Sequence, residues 1–228
     1  MSRSDPSFVP ALRFHWLTRY YGRLVALTNL DSIYQKAVLG QIGLEGKKHV
    51  LDLACGTGSL ALMLKYQYPD SQVQGLDADP VMLERARRKA ATTDLGIEFV
   101  EAMSYDMPYP VNSFDIVVSC LFFHHLISEN KVLTLAEIAR VLRPGGRLVV
   151  CDWGKPANPF FQATFGLVRL LDGFEVTREN REGRLPEIIC SNGFSEVAVI
   201  QRITWLVGTL DLITASLKSS PNALMQNN

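Results

Sequence analysis

Cysteine is sparse in this 228-residue chain, and the four that occur, Cys55, Cys120, Cys151 and Cys190, form no C-x-x-C pair. That spacing excludes the usual zinc and dithiol redox motifs, so no metal centre is expected. Cys120 and Cys151 fall at or near the ends of apolar runs and read as small buried residues, kept reduced in a cytosolic setting. An excess of charge of one sign is also lacking, because Lys plus Arg and Asp plus Glu both number 23. The balance removes the bulk electrostatic case for nucleic acid or an anionic membrane surface. A basic run, Arg85, Arg87, Arg88 and Lys89, lies beside Glu84 on an expected helix and reads as a solvated face. No apolar run approaches the roughly 18 residues that cross a bilayer, and the opening MSRSDPSFVP lacks the apolar core of a signal peptide. A cytoplasmic protein without stable membrane insertion is expected. What remains, 47% hydrophobic and 20% charged, suits one globular α/β domain over residues 1–217 with a polar, disordered tail over 218–228.

Against that background one stretch stands out, Val50-Leu51-Asp52-Leu53-Ala54-Cys55-Gly56-Thr57-Gly58-Ser59-Leu60-Ala61. An apolar strand meets an acid, then two glycines, then a helix-forming segment. Glycine at 56 and 58 permits positive φ and lets a ligand approach the backbone, and the following helix offers free N–H groups. The same G-x-G-x-x-A order fits a relaxed nicotinamide fingerprint. Asp52 argues against that alternative, since an acid at the strand end repels a pyrophosphate and favours a ligand carrying an ammonium group. A second acid, Asp77, ends the run Val73-Gln74-Gly75-Leu76 and lies 21 residues beyond Gly56, near the offset of an acid that binds ribose hydroxyls. Asp79 and Pro80 read as the N-cap and first residue of the next helix.

Strand and helix signals alternate along the chain. Strands are expected near 48–53, 72–77, 97–101, 114–119 and 147–152, and helices near 59–68, 80–92 and 131–142, the last ended by Arg143-Pro144-Gly145-Gly146. Residues 194–216 alternate around Gly208 as a final hairpin. This is the pattern of a doubly wound sheet, whose ligands lie beyond the carboxyl ends of the strands. Asp52, Asp77, Cys120 and Asp152 all fall there.

Four blocks, VLDLACGTGSLAL, QGLDADPVMLERAR, MPYPVNSFDIVVSCLFFHHL and AEIARVLRPGGRLVVCDWGKP, occur in an order that resembles the class I S-adenosylmethionine-dependent methyltransferases. The resemblance is to the small-molecule group that includes the ubiquinone/menaquinone-biosynthesis C-methyltransferases, and it spans roughly residues 15 to 215. It implies a Rossmann-like sheet of seven strands, parallel except for one strand contributed by the C-terminal hairpin, with a helical cap and lid. It also implies S-adenosyl-L-methionine as cofactor. Its amino-acid end would lie near Asp52, Ala54, Gly56 and Gly58 and its ribose on Asp77, with Ala78 and Met82 flanking the adenine and Cys120 nearby. Relatives usually show Asp or Asn before a small residue where this chain has Met103-Ser104. Met103 cannot accept the bond from the adenine amine, which leaves the backbone around Ser104, or Asp106 or Glu101, to do so.

Two segments outside the sheet resemble the family's accessory elements. Residues 8–40 carry Phe14, His15, Trp16, Tyr20 and Tyr21 and read as an N-terminal cap, with Tyr21 as the cofactor contact and His15 facing the substrate. The alternative is that these aromatics pack on the sheet. Residues 157–185 read as a lid in which Phe161 and Phe165 wall an apolar or aromatic acceptor pocket together with Trp153. For proton transfer the candidates are His124 and His125 after the fourth strand and Asp152 after the fifth. Methyl transfer to a small aromatic or amphipathic metabolite is the leading expectation. A cofactor-dependent cyclase and a catalytically degenerate interaction protein are the alternatives, and oligomeric state is left open.

Overall fold

The structure, a computed structural model, describes residues 30–43, 46–158, 161, 166, 176–205 and 208–218. Most of the expected cap, with His15 and Tyr21, the centre of the expected lid, with Phe165, and the tail beyond Lys218 lie outside the described residues. The elements run α1 (Leu30–Ile42), β1 (His49–Leu53), α2 (Ser59–Gln67), β2 (Gln72–Asp77), α3 (Pro80–Ala91), β3 (Glu98–Glu101) and β4 (Phe114–Cys120). A single 3-10 turn, Phe123–His125, leads to α4 (Ser128–Val141) and β5 (Leu142–Trp153). The chain then continues through α5 (Arg178–Glu182), α6 (Leu185–Ser191), β6 (Phe194–Trp205) and β7 (Gly208–Leu217).

The seven strands form one sheet in the order β3-β2-β1-β4-β5-β7-β6. β1 to β5 pair in parallel, and β7 inserts antiparallel between β5 and β6. The order reverses between β1 and β4, which opens a crevice at the carboxyl ends of the strands.

Strand periodicity divides the core into two layers. Val50, Ile116, Val118, Val149 and Cys151 face α1, α2 and α3, while Leu51, Leu53, Val117, Leu148 and Val150 face α4 and α6. The same alternation decides where the strand-end acids go, so Asp52 falls on the α2 side and Asp152 on the α4 side. Near-continuous apolar runs are what a sheet covered on both faces requires.

One boundary differs from expectation. β5 begins at Leu142, directly after α4, rather than near 147. Leu142 pairs with Phe114 and Arg147 with Ile116, so Arg143-Pro144-Gly145-Gly146 forms a bulge inside the strand rather than a loop before it. A bulge is where a strand tolerates proline. Among the described residues, no helix is long and apolar enough to cross a membrane.

Gly58 is fixed by packing as well as by conformation. It caps α2 at φ 70°, and a Cβ there would lie 2.8 Å from the Phe99 ring and 2.9 Å from the Ala86 Cβ. Gly58→Ala is expected to destabilise the fold by about 2–4 kcal/mol. Urea denaturation checks this, with a lowered midpoint at unchanged slope as the expected result.

Candidate active site

The β1–α2 turn bends through three consecutive left-handed positions at alternate residues, Ala54 at φ 58°, Gly56 at φ 52° and Gly58 at φ 70°. A Cβ on Gly56 would meet nothing within 4 Å, so backbone lies open to a ligand at that point. The turn is held from the neighbouring strand. Asp77 accepts the Gly56 N–H at 2.8 Å through Oδ2 and the Asp79 N–H at 2.9 Å through Oδ1. Asp79 in turn caps α3, accepting from the Val81 and Met82 amides. Burial raises the Asp77 pKa above the ordinary carboxylate value, opposed by these two amide bonds.

Asp52 takes a different place from the one its position in the motif suggests. Its side chain is buried, the residue being 2% exposed, and its Oδ2 accepts the Ala61 N–H at 3.0 Å. It thereby supplies the start of α2 with a side-chain acceptor that Gly58 cannot provide. One carboxylate oxygen is thus engaged by the helix, and Asp52 is not among the residues lining the cleft described below. Burial, opposed by the Ala61 amide and reinforced by the nearby Asp77, lifts its pKa to about 7.

A cleft opens at the carboxyl ends of β1, β2 and β3. Ala54, Leu76, Asp77 and Ala78 form one wall, and Ala102, Met103, Ser104 and Tyr105, leaving β3, form the second. The third wall comes from the segment after β4: Phe122, His125, Leu126, Ile127 and, from the first turn of α4, Asn130. Thus Ala54, Asp77, Ala78, Met103, Ser104 and His125 come together as lining residues. Gly56 and Gly58 shape the turn behind Ala54 without lining the cleft. Met82 is half-buried on α3, and Cys120 packs against the α1-side core. Glu101 and Asp106 are exposed and outside the cleft lining, so neither takes the place of the missing adenine partner there.

The two histidines separate in role. His124 is 3% exposed and shares a 2.7 Å bond between its Nδ1 and Asp152 Oδ1. Asp152, 1% exposed, also accepts the Phe122, Phe123 and Trp153 amides and the Asn180 carboxamide. Burial works against its ionisation, but His124 and the hydrogen bonds outweigh it and hold the pKa below the usual carboxylate value. An ionised carboxylate only accepts, so the His124 Nδ1 carries the proton in this pair. His124 and Asp152 lie behind the surface, where they fix the 3-10 turn.

His125 lines the cleft, its ring 3.9 Å from that of His124. Burial, reinforced by His124, lowers its pKa to about 3, so near neutrality it is an uncharged imidazole. Trp153, expected on the pocket wall, is a buried member of the α1-side core. Phe161 is half-buried, with its amide on Asn158 Oδ1.

Several lining residues escaped the sequence reading. Ala102 and Tyr105 adjoin Met103-Ser104 and carry no motif of their own. Leu126, Ile127 and Asn130 were missed because the helix start was placed at 131, although Ser128-Glu129-Asn130 is a helix-opening composition.

A methyltransferase-domain family profile matches residues 50–146. The chain is 45% identical over 121 residues to a demethylmenaquinone methyltransferase of Thermus thermophilus, covering 53% of this chain and 52% of that one. It is 31% identical over 172 residues to a demethylmenaquinone methyltransferase of Clavibacter sepedonicus, covering 73% of this chain and 68% of that one. The chain spans about half the length of the first of these relatives. Its fold is similar to that of a SAM-dependent methyltransferase from Aquifex aeolicus, with a TM-score of 0.65 at 22% identity over 86% of this chain and 98% of that one.

The raised Asp52 pKa has a measurable consequence. An unfolded aspartate titrates near 3.9, so the folded state holds more protons between about pH 4 and 7, and Asp52 costs stability as pH rises through that window. Asp52→Asn is expected to be more stable than wild type at pH 8 by roughly 2 kcal/mol or more, with the difference shrinking toward pH 5. Denaturation at the two pH values checks this, and a pH-independent difference would contradict it.

Proposed function

We propose that this chain, which belongs to the family of S-adenosylmethionine-dependent methyltransferases that includes the demethylmenaquinone methyltransferases, transfers a methyl group to a small aromatic or amphipathic acceptor. The observation that carries this reading is the Asp77 carboxylate at the rim of the cleft, oriented by the Gly56 and Asp79 amides. Each carboxylate oxygen accepts about two bonds, so each keeps capacity for one ribose hydroxyl while the amide bonds fix its direction. Ala54, Ala78 and Met103 leave apolar walls beside it, suited to a purine ring. The residues present therefore fit an adenosine-containing cofactor.

When bound, S-adenosylmethionine supplies a methyl group already activated by the sulfonium. The chain's own work is to bind, to orient and to exclude water. Phe122, Leu126 and Ile127 extend the cleft with apolar surface, which supports an acceptor of aromatic or amphipathic character. A ring of the demethylmenaquinone type, which the names of its relatives specify, is the acceptor class to try first. His125 is the histidine placed to meet an acceptor, and as an uncharged imidazole it can accept a hydrogen bond from a ring hydroxyl and so orient it. His124 and Asp152 act through it by holding the turn that carries it.

The test pairs binding with turnover. Calorimetry with S-adenosylhomocysteine is expected to show binding to wild type, weakened in Asp77→Ala by roughly 2–3 kcal/mol. Methyl-labelled cofactor incubated with hydroquinone acceptors is expected to leave label in the organic phase. Wild type that binds no S-adenosylhomocysteine would sink the reading, and binding with acceptor conversion but no label transfer would favour a cyclase.

A further inference from the structure

We propose that Asn130 reads the adenine edge of the cofactor, supplying the specificity contact that Met103 cannot, an inference that rests on the methyl-donor reading above. Met103 offers only a thioether, a weak acceptor with no donor. Adenine presents an exocyclic amine beside a ring nitrogen, a donor next to an acceptor. A carboxamide presents the complementary pair in one plane, the match by which Asn reads adenine in nucleic acids.

Placement supports Asn130 over its neighbours. α4 is stitched to the segment leaving β3 along one helical row. Thr134 Oγ1 shares a 2.7 Å bond with Ser104 Oγ, Glu137 accepts the Met107 amide at 2.9 Å, and Arg140 donates to the Met107 and Tyr109 carbonyls. Asn130 is one turn before Thr134 on that row. It therefore continues the seam past Ser104 to the part of the cleft lined by Met103 and Tyr105. That region lies on the β3 side of Asp77, where a base must sit if its ribose rests on the carboxylate.

The other polar side chains of the cleft are placed for different contacts. The Ser104 hydroxyl is buried against Thr134, and the remaining capacity of Asp77, beyond its two amides, is assigned above to the ribose. The His125 ring packs at a tilt against that of His124. Tyr105 is engaged elsewhere. The Asn130 carboxamide forms no hydrogen bond among the described residues, so its donor and acceptor both remain for a ligand.

The test is a cycle that removes each partner in turn. Wild type and Asn130→Ala are titrated calorimetrically with S-adenosylhomocysteine and with its analogue in which purine, lacking the 6-amino group, replaces adenine. Wild type is expected to bind the analogue about tenfold more weakly, the effect of one lost hydrogen bond. Asn130→Ala is expected to bind S-adenosylhomocysteine weaker by a similar factor and to lose most of the preference between the two. A variant that keeps the wild-type preference, or a wild type that shows none, would overturn the assignment of Asn130. Wild type that binds neither compound would overturn the methyl-donor reading itself. Alanine favours the helix, so an unchanged melting temperature is expected, and it separates lost contact from lost fold.

Discussion

Carboxylates at the ends of β1, β2 and β5 turn backbone amides into fixed structure, and the cleft depends on them. Asp52 holds the start of α2 through Ala61. Asp77 joins the glycine turn to the α3 entry through Gly56 and Asp79. Asp152 gathers Phe122, Phe123 and His124 on one side and Asn180 on the other. Loops otherwise lose amide hydrogen bonds when they leave the sheet. A buried acid at the strand end restores them and fixes the direction in which each loop departs. Charged acceptors make such bonds stronger than neutral ones, so the walls of the cleft are set by the sheet rather than by the loops alone.

The same device costs something at each position, and the costs differ. Asp152 has an imidazole and several donors around it, which offset its burial. Asp52 has one amide and a neighbouring acid, which do not. A buried ion pair works at a distance from the cleft. Lys131, on α4, reaches Glu179 on α5 at 2.7 Å, and Ser128 donates to the same carboxylate. Together with the bond from Asn180 to the Trp153 carbonyl, it ties the C-terminal part of the expected lid to the end of β5 and the start of α4. The His125 side of the cleft is thereby held from behind.

Much of this architecture was readable because its signals are local. The glycine turn, the apolar strand runs and the Asp79-Pro80 helix start each depend on a few adjacent residues, and the expected seven strands with one antiparallel insertion match the sheet. What escaped depends on tertiary context. The Arg143-Pro144-Gly145-Gly146 stretch has the composition of a loop, and only pairing with β4 makes it a bulge. Asp52 has the position of a ligand contact, and only the approach of α2 commits it to an amide. Trp153 and His124 read in sequence as site residues, but strand alternation and the 3-10 turn send them inward. Asn130 has no motif to mark it, and its place is set by the seam between α4 and the β3–β4 segment.

The cleft between the ends of β1, β2 and β3 and the α4 entry is the proposed site of the methyl donor. A crystal structure of the protein with S-adenosylhomocysteine tests it most directly. The expected result is the ribose hydroxyls on Asp77, the base between Ala78 and Met103 with its edge toward Asn130, and the sulfur directed to the side of His125. Density for the ligand outside this cleft, or a ribose turned away from Asp77, would contradict it.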